Sequence, residues 1–138
     1  MTATTASSLR RTIAGMSPVR LAYEFDGIAT LVSGLALASL AAVLDSPLGL
    51  SAALLLGEGL FFIAYAIGVL VIATRREIPR GPAKVVIALN ALWTVDSLVF
   101  LAAGWIEPTA LGTGVVLMIA AFTAVMAAVQ AYTLRADR

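Results

Sequence analysis

Two carboxylic acids, Glu58 and Asp96, stand inside long apolar runs, Ala52-Ala53-Leu54-Leu55-Leu56-Gly57 before the first and Leu98-Val99-Phe100-Leu101 after the second. A carboxyl near the centre of a bilayer costs about 2.5 to 3.5 kcal/mol on the insertion scale, so it normally faces protein. No Lys or Arg occurs within the apolar stretches to neutralise either acid. At a common level and without a base, the pair is expected to retain a proton or share one, the chemical ingredient of a proton or cation relay. Two other readings stand beside it. Either acid can serve as an interhelical clasp to Asn90, Thr94 or a backbone carbonyl, worth about 0.6 to 2 kcal/mol, or as a contact to another membrane subunit.

Other polar residues fall on related faces. Asn90, Thr94 and Ser97 lie at i, i+4 and i+7, one helical stripe with Trp93 at its edge, and Asp96 points about 120° away from Asn90. Glu58 and Tyr65, seven apart, share a face. The candidate ion, proton or substrate site is therefore Glu58, Asp96, Asn90, Tyr65 and Thr94. Asp26, Asn90 and Gln130 lie in the inner halves of their segments, so a hydrated entry from inside is compatible with an outer half closed by Leu, Ala and Val. Gly57 and Gly59 permit close approach around Glu58 but form no phosphate-cradling pattern.

Much chemistry is excluded. The chain has no Cys and no His, hence no thiolate, imidazole base, disulfide, haem-ligating His or Cys/His zinc site. No metal and no cofactor are expected, and two carboxyls without a base partner define no reaction class, so the expectation is a protein that is not an enzyme. A net charge of +1 and a pI near 8.2 are too balanced for a nucleic-acid partner.

The elements that must position these residues are membrane helices. Of 138 residues 61% are apolar and only 12% charged, and the mean hydropathy is +1.00, which makes the lipid bilayer the expected surroundings. Four runs reach the roughly 20 residues a spanning helix requires: about 27–44, 48–74, 83–105 and 109–134. None shows the alternation of a membrane strand. Asp45-Ser46-Pro47, Arg75 to Pro82, and Glu107-Pro108 supply the breaks. The reading is an all-α integral membrane four-helix bundle, up-down-up-down, over 17–138.

By depth, Asp96 falls midway between Lys84 and Glu107, and Glu58 about two residues, roughly 3 Å, outward of its own midpoint. All nine basic residues fall on the side of the termini and middle link, whereas the other links carry Asp45 and Glu107. The positive-inside rule puts both termini in the cytoplasm. Tyr23, Tyr132 and Trp105 occupy expected interfacial depths.

Residues 1–16, rich in Thr, Ala and Ser, read as a disordered cytoplasmic tail, and Ser17-Pro18 as the start of order. Ser8-Leu9-Arg10-Arg11-Thr12-Ile13 has the look of a twin-arginine export signal, with Ala36-Leu37-Ala38 as its cleavage tripeptide. The apolar run from Gly27 exceeds a signal core, however, and an inner-face anchor is preferred.

Small residues recur every fourth position at Gly34/Ala38/Ala42, Gly49/Ala53/Gly57 and Ala120/Ala124/Ala128. Such stripes serve packing inside one bundle, the preferred reading, or a homodimer face or another membrane subunit. Leu44-Asp45-Ser46-Pro47-Leu48-Gly49 and Ile106-Glu107-Pro108-Thr109-Ala110-Leu111-Gly112 share an acid, a Pro and a Leu-Gly pair, as duplicated hairpins would.

The stretch from Leu89-Asn90-Ala91-Leu92-Trp93 to Gly104-Trp105-Ile106-Glu107-Pro108-Thr109-Ala110-Leu111-Gly112 resembles small uncharacterised four-span bacterial membrane proteins. That resemblance implies the bundle and a bacterial inner membrane, and no particular activity. Size and a membrane carboxyl are also shared with the small multidrug resistance family of dimeric proton-coupled exporters. That family carries its Glu in the first span, whereas Glu58 is in the second. The functional expectation is a non-enzymatic interaction or accessory component, with a small proton- or cation-coupled transporter as the alternative.

Overall fold

The computed structural model describes residues 3–7 and 15–138. Residues 3–7 form a helical turn, with Ser7 Oγ donating to the Thr4 carbonyl at 2.9 Å. Residues 1–2 and 8–14 of the expected tail, with Arg10, Arg11 and the whole twin-arginine-like stretch, lie outside the described residues. Four helices follow: α1 (Pro18–Leu48), α2 (Ala52–Ala73), α3 (Arg80–Ala103) and α4 (Ala110–Ala136). Even α2, with 22 residues, is about 33 Å long at helical rise, against a hydrocarbon core of about 30 Å. All four are long and apolar enough to cross a membrane.

Local chemistry sets the ends. Ser17 caps α1, its hydroxyl accepting from the Arg20 amide, and Pro18 takes the first turn. The helix then runs through Asp45-Ser46-Pro47, expected to break it. Pro47 sits in the last turn, where its missing N–H removes a single helical bond. The stop is Gly49, which adopts φ 65° and ψ 30°, while Gly49 and Leu50 amides donate to the carbonyls of Ser46 and Asp45. The expected middle link is also shorter, because Arg80, Gly81 and Pro82 join the first turn of α3, whose amides need no helical acceptor. Thr109 caps α4 and ties the two hairpin turns together: its hydroxyl accepts from Gly112 N–H and donates to the Pro47 carbonyl at 2.6 Å, while its amide donates to Leu48. The two similar acid-Pro-Leu-Gly stretches therefore meet but are not equivalent, since Gly49 is a left-handed cap and Gly112 is helical.

Buried positions follow heptad spacing, as in coiled coils. On α2 they are Leu55, Gly59, Phe62, Ala66, Val69 and Ala73; on α1, Gly27, Gly34, Ala41 and Leu48 recur every seventh residue. Gly27 lies against Leu70, and Gly34 against Gly59 and Phe62, so positions descend along α2 as they climb α1. Asn90 with Gln130 and Thr94 with Thr123 pair α3 and α4 in the same descending manner. Of the small-residue stripes, Gly34 and Ala38 are an internal seam. Ala53 and Gly57, in contrast, face outward, with nothing within 4 Å of a Cβ built on Gly57; the seam glycine of α2 is Gly59. Ala120 is buried, and Ala124 and Ala128 are exposed.

The packing is uneven. α1 and α2 touch backbone to backbone at Gly34 and Gly59. Between α2 and α3 the contact is made by large rings instead: Trp93 stacks on Phe61 at 4.9 Å and meets Phe62 edge-on at 5.4 Å. One end of the bundle is closed by a cluster including Val19, Tyr23, Val69, Ala73, Val86 and Leu134, the other by Ala41, Leu48, Leu50 and Leu55. Tyr23, expected at the interface, is instead fully buried, its hydroxyl donating to the Ala83 carbonyl at 2.8 Å. Arg20 reaches the carbonyls of Ala73, Arg75 and Arg76, satisfying the C-terminus of α2. The outer surface is apolar, with Val32, Val43 and Leu92 more than 60% exposed, as a lipid-facing surface requires.

Gly59→Leu is expected to destabilise the bundle by about 1 to 3 kcal/mol through overpacking against Gly34 and Ala38. Gly57→Ala, placed in open space, is expected to leave stability unchanged or slightly raised. Reversible unfolding in mixed micelles, followed by circular dichroism, measures both.

Candidate functional site

The most connected polar group in the described protein is Asp26. Its side chain is fully buried, on the face of α1 that turns inward between Tyr23 and Gly27. Oδ2 accepts three hydrogen bonds, one from each of the other helices: Tyr65 Oη at 2.8 Å, Asn90 Nδ2 at 2.9 Å and Gln130 Nε2 at 2.7 Å. Oδ1 accepts from Thr30 Oγ1, one turn along α1, at 3.2 Å. Asn90 Nδ2 also donates to Gln130 Oε1 at 3.0 Å, closing a triangle. Four donors and no acceptor surround the carboxyl, the arrangement suited to a carboxylate whose oxygens only accept.

The cluster lies towards the end carrying the middle link. Asp26 is seven residues from Ser33, the centre of α1, or roughly 10 Å at helical rise. A cavity of about 190 Å³ adjoins it, lined from all four helices and largely apolar, with Phe61, Phe62, Tyr65, Asn90, Trp93 and Phe122 in its wall. Phe25 and Phe122, ring centres 6.1 Å apart, bridge α1 and α4 beside it.

The expected site residues divide between two places. Tyr65 and Asn90 belong to the Asp26 cluster. Thr94 sits one turn beyond, bonded to the Asn90 and Ala120 carbonyls and sharing a 2.7 Å contact with Thr123 Oγ1. Glu58 and Asp96 are elsewhere. Both border a second cavity of about 110 Å³, with Ser97, Leu55, Phe100 and Val115. Glu58 is half-buried and Asp96 exposed on the α2–α3 side, and neither carboxyl makes a hydrogen bond. Four to five residues separate each from the centre of its helix, roughly 7 Å and away from the Asp26 end. The acids thus share a level and a cavity, but not the polar cluster expected to neighbour them, and Asp96, expected at the midpoint of its span and facing protein, is off-centre and exposed.

Phe62, Trp93 and Ile119 line both cavities, so one layer of side chains separates the two acidic regions. The residues missed by sequence reasoning are Asp26 and Gln130 as site members, with Thr30 and Thr123. A signal was present: Asn90 and Gln130 are the sole Asn and sole Gln in the chain, they lie at matching depth with Asp26, and they bond to the same oxygen.

Asp26→Leu strands three interhelical donors and is expected to cost about 2 to 3 kcal/mol of bundle stability. Double-mutant cycles pairing Asp26→Leu with Asn90→Leu or Gln130→Leu are expected to show coupling near 1 kcal/mol, whereas Asp26 with Glu58→Gln is expected to be additive. Unfolding in mixed micelles supplies the measurement. Comparisons with protein-family models, with curated proteins and with solved structures find no match for this chain.

Proposed function

We propose that the chain is a small non-enzymatic protein of the bacterial inner membrane, with both termini cytoplasmic, that conducts protons or small cations through the bundle. The observation that carries this reading is the pair Glu58 and Asp96: two carboxyls from different helices border one cavity without a base or hydrogen-bond partner. A pure clasp would engage its donors, as Asp26 does; these two acids engage none. A second cavity follows in series behind the Phe62, Trp93 and Ile119 layer, with Tyr65 and Asn90 in its wall and Asp26 behind them. An acid on each side of a narrow apolar partition is a physical basis for stepwise passage, the first pair exchanging with one face and the cluster with the other.

Orientation rests on charge. Arg20, Arg75, Arg76, Arg80 and Lys84 lie at the helix ends around the middle link, and Asp45 and Glu107 lie in the opposite turns, which by the positive-inside rule puts the Asp26 end towards the cytoplasm. A second reading, an interaction or accessory component paired with a copy of itself or another membrane subunit, draws on the outward Ala53 and Gly57, a small-residue face that meets nothing within the monomer.

The chain has no native Cys, so single-cysteine variants report topology cleanly. Arg76→Cys is expected to react with an impermeant thiol reagent only after the membrane is opened, and Ser46→Cys in intact spheroplasts. The transport reading is tested in proteoliposomes by pH-driven flux of cations and lipophilic amines. Glu58→Gln and Asp96→Asn are each expected to lower flux at least tenfold while helical content and unfolding stay near wild type. No wild-type flux across the panel, together with stable copurification of a membrane partner, would establish the accessory reading instead.

A further inference from the structure

The wall of the larger cavity has an unusual balance of hydrogen-bonding groups. Its hydroxyl and amide protons are already engaged inside the protein: Tyr65 and Thr30 donate to Asp26, Ser33 to the Ala29 carbonyl, and Thr123 to the Ala120 carbonyl, while the two Asn90 bonds run to Asp26 and Gln130. What remains unengaged is acceptor capacity on Asn90, together with the indole N–H of Trp93. Asn90 is 3% exposed, yet its Oδ1 accepts nothing. No fully enclosed side-chain nitrogen or oxygen among the described residues lacks a partner, so Oδ1 opens onto the cavity that Asn90 borders. Tyr65 Oη, which donates to Asp26, is the neighbouring oxygen on this wall, with the Asn90 amide beside it.

An unengaged buried acceptor calls for a ligand that donates to it. Two further features fix its charge and body. Asp26 stands one hydrogen bond behind Tyr65 and Asn90, fully buried, with no basic side chain among its partners, and a desolvated carboxylate attracts a cation more strongly than it would in water. The remaining wall is apolar, with the rings of Phe61, Phe62, Trp93 and Phe122 beside Leu89, Met118 and Ile119; aromatic rings can attract a cation by their quadrupoles and an apolar body by contact. A cavity of about 150 Å³ accommodates benzene, so about 190 Å³ takes one ring with a short arm.

We propose that this cavity binds a small organic ammonium ion carrying N–H protons, a lipophilic amine, with the ammonium against Asn90 Oδ1 and Tyr65 Oη and the apolar body between the rings. The inference deepens the transport reading and rests on it for its physiological consequence, but it is tested by equilibrium binding, which needs no flux. Binding without flux would therefore retire transport and keep the site.

The probe is 2-phenylethylamine, titrated into the full chain carrying Trp105→Phe in bicelles, so that Trp93 is the sole tryptophan and is excited selectively at the red edge of the absorption band. Saturable change in Trp93 emission is expected, with 2-phenylethanol, the neutral isostere, and the trimethylated quaternary ammonium each binding at least tenfold more weakly. Asp26→Asn is expected to weaken the amine at least tenfold and the alcohol less than threefold. Should that variant fail to fold, Ser33→Leu, which fills the cavity from an exposed position, is expected to abolish binding of all three. Equal affinity for amine and alcohol overturns the ammonium assignment, and saturable binding that survives Ser33→Leu overturns the location.

Discussion

In hydrocarbon, helices gain little by hiding apolar surface from one another, because lipid is as apolar as a leucine side chain. What then distinguishes one arrangement of four helices from another is a small number of directional bonds and the sites where backbones approach closely. Asp26 supplies the first of these. Its one Oδ2 atom is the meeting point of donors from α2, α3 and α4, and separating any helix would leave a donor or the acid itself without a partner in a medium that offers none. Thr30 holds the second oxygen from within α1. The register and rotation of all four helices are therefore referred to one carboxyl, and the polar ties of Arg20, Tyr23 and Arg80 to backbone carbonyls cluster at the same end.

Close approach supplies the second. Gly34 and Gly59 bring α1 and α2 together, whereas bulky rings hold α2 and α3 apart. A bundle tight on one side and propped open on the other cannot fill its middle, and that mismatch is the physical origin of the two cavities. The same residues that prop the helices apart, Phe62 and Trp93, also form the partition between the cavities. Space, acid and aromatic surface thus come from one packing compromise.

The two acidic regions differ in what surrounds them. Around Asp26 every nearby proton is directed inward. Around Glu58 and Asp96 none is. A saturated acid is suited to hold structure and to set the field of the adjoining cavity; an unsaturated pair is suited to exchange with something that arrives. The proposed conduction and the proposed ammonium site follow from that contrast and not from any catalytic constellation.

Much of the architecture was legible in the residues alone. Four apolar runs of spanning length are a property of the chain, because a backbone in lipid must bond within its own helix, and Ser17-Pro18 announced the start of α1 by local capping chemistry. Helix ends near Pro47 and Pro82 were less legible, since proline breaks a helix in its interior but is tolerated in a terminal turn, and only the observed caps distinguish the two. Spacing grouped Asn90 with Thr94 and Ser97 on one face and Tyr65 with Glu58 on another, and depth put Glu58 near the level of Asp96. Membership of the polar cluster was a different matter. Which acid Asn90, Tyr65 and Gln130 would share depends on the rotation of each helix about its axis, and rotation is set by contacts between helices remote in the chain, Gly34 on Gly59 and Trp93 on Phe61. One-dimensional spacing fixes which residues of a helix lie on a common face; only the packed bundle decides where that face points, because neighbours, not the helix itself, determine its turn.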